Sequence, residues 1–160
     1  MRPSVLSSSV HLKRGNIQDY SSPHCILIVD KHVGIAKMLN WAFTLEGYDS
    51  VAIEDQSWIS QALAQKHHFS AILLDLSRNL WLNRDACIDY IEEQWSTFYY
   101  GNPPLIVLTT TSTPDRHVNG YPLFHKPFYV GDLIAKVKSL VSYIPPEFPA
   151  LHQHPAEEKL

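Results

Sequence analysis

Three short apolar runs, Cys25-Ile26-Leu27-Ile28-Val29, Ala71-Ile72-Leu73-Leu74 and Leu105-Ile106-Val107-Leu108, each stop abruptly on a polar residue: Asp30, Asp75 and Thr109. A strand that is apolar at every position, rather than at alternate ones, must be covered on both faces. That is the condition of a central strand in a parallel sheet wrapped by helices. The intervening segments carry the helical period. Ile35, Met38, Leu39, Ala42 and Phe43 fall on one helix face, which Gly47 stops. Ile59, Ala62 and Leu63 mark a second helix, with Asp55 or Ser57 available as its N-cap. Cys87, Tyr90, Ile91 and Trp95 mark a third, and Leu133, Ile134, Val137, Leu140, Val141 and Ile144 a closing one. Val51 with Ile53, and Leu123-Phe124, supply two further short strands. Alternation of this kind predicts an α/β domain with a doubly wound, five-stranded parallel sheet.

In such open sheets, ligands gather outside the carboxyl ends of the strands. The residues expected there are Asp30 and Lys31, Asp75, Thr109 and Lys126, which combine two carboxylates, a hydroxyl and two amines. Composition narrows the choice of partner. Thirteen Lys and Arg against sixteen Asp and Glu give a net charge of −3, without the basic surplus that phosphate-backbone contacts require, so nucleic acid is not expected as a ligand. The apolar runs fall far short of the roughly 20 residues of a spanning helix, and no signal-peptide block opens the chain, so a soluble, cytoplasmic protein is expected. Cys25 and Cys87 sit in apolar or amphipathic surroundings and read as buried thiols. The nine histidines show no zinc-type spacing with them. Neither a Gly-rich phosphate loop nor a serine-nucleophile elbow is present, so independent hydrolytic activity is not expected.

Taken together and in this order, Ile-Leu-Ile-Val-Asp30, Leu45-Glu46-Gly47-Tyr48, Ala-Ile-Leu-Leu-Asp75, Ile-Val-Leu-Thr109 and His125-Lys126-Pro127-Phe128 resemble the receiver domain of two-component response regulators. The resemblance spans about His24–Ile144. It implies a flavodoxin-like fold with strand order 2-1-3-4-5. It also implies roles: Asp75 as phosphoacceptor, Thr109 as the switch hydroxyl, Lys126 as the phosphate-pairing lysine and Asp30 as the first of the acidic pair. In the family, an Mg²⁺ held by the acid pair, the acceptor aspartate and a backbone carbonyl neutralises much of the charge in phosphoryl transfer. The implied partners are a sensor histidine kinase or phosphotransfer protein and a downstream protein.

The chain departs from that pattern at several points. The second acid of the pair is Lys31, and Gly47 follows it at the family's usual separation. Lys31 and Lys126 would then neutralise Asp30 and Asp75 without any metal. The expectation is that the Lys31 ammonium occupies or blocks the metal position, leaving Mg²⁺ binding at Asp30 and Asp75 weak or absent; the alternative is that its long stem points to solvent. Asn79 and Asn83, with Trp81 between them, stand where the family usually has proline and glycine. The stretch from Thr109 to Lys126 is shorter than usual and has no apolar stripe, which predicts a shortened or missing fourth helix. Leu123 replaces the family's frequent aromatic, for which Tyr121 or Phe124 are candidate substitutes. Trp81, Phe98, Tyr99 and Tyr100 either pack into the space left by that helix or anchor a partner.

The polar Met1–Ser22 stretch reads as a flexible arm, 23–144 as the receiver-like domain, and the Pro-rich 145–160 as a flexible tail too short for an output domain. Three functions remain: a single-domain atypical receiver in a phosphorelay, a pseudo-receiver that binds protein partners without phosphorylation, and a flavodoxin-like cofactor binder sharing only the architecture. As bland alternatives, Asp30 and Asp75 could be solvated strand-end acids and Thr109 part of a polar loop.

Overall fold

The computed structural model describes residues 24–65 and 69–141; the expected arm, the tail and the last residues assigned to the closing helix lie outside them. Every residue of β1 (Cys25–Val29), β3 (Ala71–Leu76) and β4 (Leu105–Thr109) is buried. Because side chains alternate across a sheet, each unbroken apolar run feeds two cores at once. Leu27, Val29, Ile72, Leu74 and Val107 face one layer; Ile26, Ile28, Leu73, Ile106 and Leu108 face the other. The first layer is closed by α2 (Ile59–Gln65) and α4 (Arg84–Phe98), and the second by α1 (Val33–Leu45) and α5 (Val130–Val141). Cys25 and Cys87 are both buried in the first.

The helix faces follow the expected spacing with one correction. In α1 the buried set is Ala36, Leu39, Ala42 and Phe43, while Met38 is 41% exposed. The helix is rotated so that the small Ala36 meets the sheet, which carries Met38 to the rim. Its end is as the sequence indicates: Gly47, at φ +86°, donates its N–H to Thr44, and the Tyr48 N–H reaches Phe43. This paired bonding satisfies the last carbonyls of the helix, and the Tyr48 ring packs edge-on against Phe43. Asp55 is the cap residue, its carboxylate accepting the Ser57 N–H of the turn that leads into α2.

The sheet order is β2-β1-β3-β4-β6-β5, with β2 (Asp49–Ile53) on one edge and β6 (Tyr121–His125) beside β4. The five strands β2, β1, β3, β4 and β6 are parallel and stand in the expected order. Among the described residues no helix lies between β4 and β6. In its place β5 (His117–Val118) runs antiparallel to β6. Asn119 and Gly120 both take positive φ, 49° and 81°, as a two-residue type I′ turn requires. The sequence signal for this hairpin is Val118-Asn119-Gly120-Tyr121, and reading the stretch only for helical period overlooks it.

Aromatic side chains occupy this end of the first core layer. Trp95 and Tyr99 stack at 4.2 Å, and Phe98 and Trp81 pack at the margin, whereas Tyr100 is 63% exposed. Tyr121 is buried, and its hydroxyl donates to Glu92 Oε1 at 2.6 Å. Burial, reinforced by that carboxylate, pushes the phenol well above its ordinary pKa. Tyr121→Phe is expected to cost about 1–2 kcal/mol, the worth of a partly buried hydrogen bond to a charged acceptor. Urea denaturation checks this, and an unchanged midpoint would show that the hydroxyl does not anchor the hairpin. No helix among the described residues is long and apolar enough to cross a membrane.

Candidate functional site

The carboxyl edge of the sheet brings the expected residues together. Asp30 lies one residue beyond β1, where its N–H is held by the Ile53 carbonyl at 3.0 Å. Asp75 is the penultimate residue of β3 and pairs in register with Leu108. Thr109 ends β4, opposite Leu76 on one side and His125 on the other. Lys126 follows β6, its N–H donating to the Thr109 carbonyl at 2.7 Å, and the Lys126-Pro127 peptide is cis.

The Lys126 ammonium lies between the two carboxylates, 2.8 Å from Asp30 Oδ2 and 2.9 Å from Asp75 Oδ1. The Asp30 side chain is fully buried and that of Asp75 is 3% exposed. Neither is a solvated strand-end acid. The contact with Asp30 is a hydrogen bond; that with Asp75 has ion-pair separation, but its angles leave Oδ1 without an aligned hydrogen bond. Burial therefore dominates Asp75. Desolvation raises its pKa above the usual carboxylate value, Lys126 offsets part of that rise, and the Asp30 charge adds to it. Thr109 is also fully buried, and its Oγ1 accepts the Thr111 N–H at 3.0 Å, which leaves the hydroxyl proton to be donated.

Of the two readings of Lys31, the structure shows the one in which its stem points to solvent. Its side chain is exposed, and among the described residues it forms no ion pair with Asp30 or Asp75. The chain turns at this point into α1, sending residue 31 outward and residue 32 back across the pocket. His32 is therefore the residue that spacing alone misses. Its N–H donates to Asp30 Oδ1 at 2.8 Å, and its Nδ1 lies 3.2 Å from the same oxygen and 3.8 Å from Asp75 Oδ2. The available signal is a histidine two residues past a strand-end aspartate.

Leu123 is buried and Phe124 packs edge-on against Phe128, so the two candidate substitutes for the missing aromatic are both engaged elsewhere, Tyr121 with Glu92 and Phe124 with Phe128.

Comparison of the sequence with protein-family models and with curated proteins finds no match. Comparison of the fold with solved structures does. The chemotaxis protein CheY4 of Vibrio cholerae superposes with a TM-score of 0.59 at 18% identity, covering 73% of this chain and 98% of that one. A response regulator from Thermotoga maritima gives 0.59 at 17% identity over 74% and 98%. The receiver domain of the hybrid histidine kinase CckA gives 0.54 at 13% over 73% and 98%. The chain has the receiver-domain fold. At these identities the likeness concerns architecture, and the chemistry has to come from the residues themselves.

The receiver fold implies magnesium, and the donors here fit that ion poorly. Mg²⁺ asks for a near-octahedral set of oxygens. Among the described residues the group able to hold a metal is Asp30, His32 and Asp75, in which a ring nitrogen stands in place of a third carboxylate. The Ser77 carbonyl, two residues past Asp75, already accepts the N–H groups of Leu80 and Trp81 at the start of α3 (Arg78–Trp81).

Proposed function

We propose that this chain is an atypical receiver that accepts a phosphoryl group on Asp75 from a phosphohistidine of a sensor kinase or phosphotransfer protein, and acts through contacts with a further protein. A carboxylate oxygen of Asp75 would form the new bond to phosphorus as the phosphorus–nitrogen bond of the donor breaks, the imidazole leaving with the bonding electrons and taking a proton. The observation that carries this reading is the Lys126 ammonium, 2.9 Å from Asp75 Oδ1 and 2.8 Å from Asp30 Oδ2 in a buried pocket at the sheet edge. It supplies a fixed positive charge where the phosphoryl oxygens would gather, and the buried Thr109 hydroxyl supplies a donor.

Incubation with acetyl phosphate followed by intact-mass measurement tests the proposal. One phosphoryl adduct is expected on the full-length chain and none on Asp75→Asn. Absence of an adduct with any divalent metal, or an adduct that survives in Asp75→Asn, would overturn it. A second reading, a module that binds its partner without phosphorylation, is favoured by the hairpin that replaces the fourth helix and by the Tyr121–Glu92 hydrogen bond, which engages one of the two candidate substitutes for the family's aromatic. The cofactor-binding rival has no support among the described residues.

A further inference from the structure

Helix α1 carries apolar side chains on two faces. Ala36, Leu39, Ala42 and Phe43 meet the sheet. Met38, Trp41 and Leu45, spaced i, i+3 and i+7, form a second stripe turned toward solvent, with Trp41 and Leu45 each 66% exposed. A single apolar residue at a surface needs no explanation. Three on one stripe, one of them tryptophan, mark a contact surface.

The place where the chain leaves the fold indicates what covers that stripe. Helices α1 and α5 each follow a strand of the parallel sheet and run back beside one another, so both end at its amino edge. Lys138, in the last turn of α5, bonds Glu46, the residue after Leu45. The chain beyond Val141 therefore departs close to the Leu45 end of the stripe. Residues 142–160 offer Ile144, Phe148 and Leu151 as apolar side chains, among the four prolines Pro145, Pro146, Pro149 and Pro155. The fixed φ of proline lowers the cost of ordering an extended segment on an aromatic surface. At about 3.1 Å per residue such a segment carries Phe148 roughly 22 Å from Val141, whereas the stripe from Leu45 back to Met38 is only about 10 Å long. The reach is sufficient, with length to spare for the reversal of direction.

Charge favours this end of the chain over the other. Helix α1 carries an exposed Lys37, one turn before Trp41, and no acid. Residues 142–160 carry Glu147, Glu157 and Glu158 against Lys159. Residues 1–23 carry Arg2, Lys13 and Arg14 against Asp19, which is the wrong sign for a surface marked by Lys37. We propose that residues 142–160 turn back over α1 and seat Phe148 and Leu151 on Met38, Trp41 and Leu45. Tethering supplies an effective concentration of about 1 mM, so a contact too weak to hold two separate molecules together suffices. The cover makes the tail an internal competitor for any protein that docks on α1, whether or not Asp75 is ever phosphorylated.

Methyl-labelled methionine reads the contact directly by nuclear magnetic resonance, because the chain contains only Met1 and Met38. In the full-length chain the Met38 methyl is expected to show cross-relaxation peaks to the Phe148 ring, unchanged on dilution. Phe148→Ala should abolish those peaks and shift the Met38 methyl signal. Amide signals of β1 and of the buried face of α1 should stay in place, which shows that the variant is folded. A Met38 signal indifferent to Phe148→Ala would leave the stripe open to solvent and overturn the proposal. Peaks to Leu6, Leu12 or Ile17 would assign the stripe to the other end of the chain, and signals that move with protein concentration would assign it to a second copy; either result overturns the proposal as well.

Discussion

Lys126→Met is expected to destabilise the domain by about 3–5 kcal/mol, the usual consequence of removing one partner from a buried charged cluster. Methionine keeps most of the stem volume, so the loss is electrostatic: Asp30 and Asp75 are left buried, facing each other, with only His32 nearby. On the thermal scale this is a fall of roughly 10–20 °C. The pH dependence identifies the cause. With the ammonium gone, Asp75, whose pKa burial already raises, loses the charge that lowers it and binds its proton still more tightly in the folded state. The penalty is then greatest at neutral pH and shrinks as acid protonates that carboxyl. Melting curves across the acid-to-neutral range check this, and a difference that stays flat would mean that packing of the stem, not charge, is what Lys126 provides.

Asp30→Asn and Asp75→Asn are the same chemical change on neighbouring side chains, and they are expected to shift stability in opposite directions. Asp30 accepts the His32 N–H and the Lys126 ammonium on its two oxygens. An amide would turn one of those acceptors into a donor facing another donor, at a cost of about 2–4 kcal/mol. Asp75 is the reverse case. Its pKa is raised, first by burial, against the lowering effect of Lys126. A carboxyl that binds its proton more tightly when folded loses stability as pH rises through its folded pKa, so at neutral pH ionised Asp75 opposes folding. Asp75→Asn should therefore melt higher than the parent at neutral pH, with the gain fading toward the ordinary carboxyl range. Loss of stability in both variants at neutral pH would contradict this account. The expected pattern is that of a functional group kept at the expense of stability.

The sheet was legible because its central strands are apolar at every position, which only a two-sided covering explains, and because each run ends sharply enough to name the residue at the edge. Asp30, Asp75 and Thr109 could be placed on one rim from those ends, and Lys126 from the short strand Leu123-Phe124 before it. Direction was harder to read than position. Met38 fits the helical period, yet α1 is rotated so that Ala36 takes its place against the sheet. Lys31 and His32 are adjacent in sequence, and which of them enters the pocket depends on the backbone at His32, extended at φ −83° and ψ 97°, which residue spacing does not encode. The hairpin is encoded in Asn119-Gly120, a turn signal that carries no helical period.

The replacement of a helix by β5 also bears on self-assembly. An open rim of sheet is a template on which a second chain can add a strand, and natural proteins blunt such rims with short edges and charge. On this side the outermost strand is two residues long, preceded by Arg116 and ended by a tight turn, and beyond it the Leu123 N–H is taken by the Arg116 carbonyl at 2.8 Å. Filament growth by strand addition is thereby disfavoured along that rim.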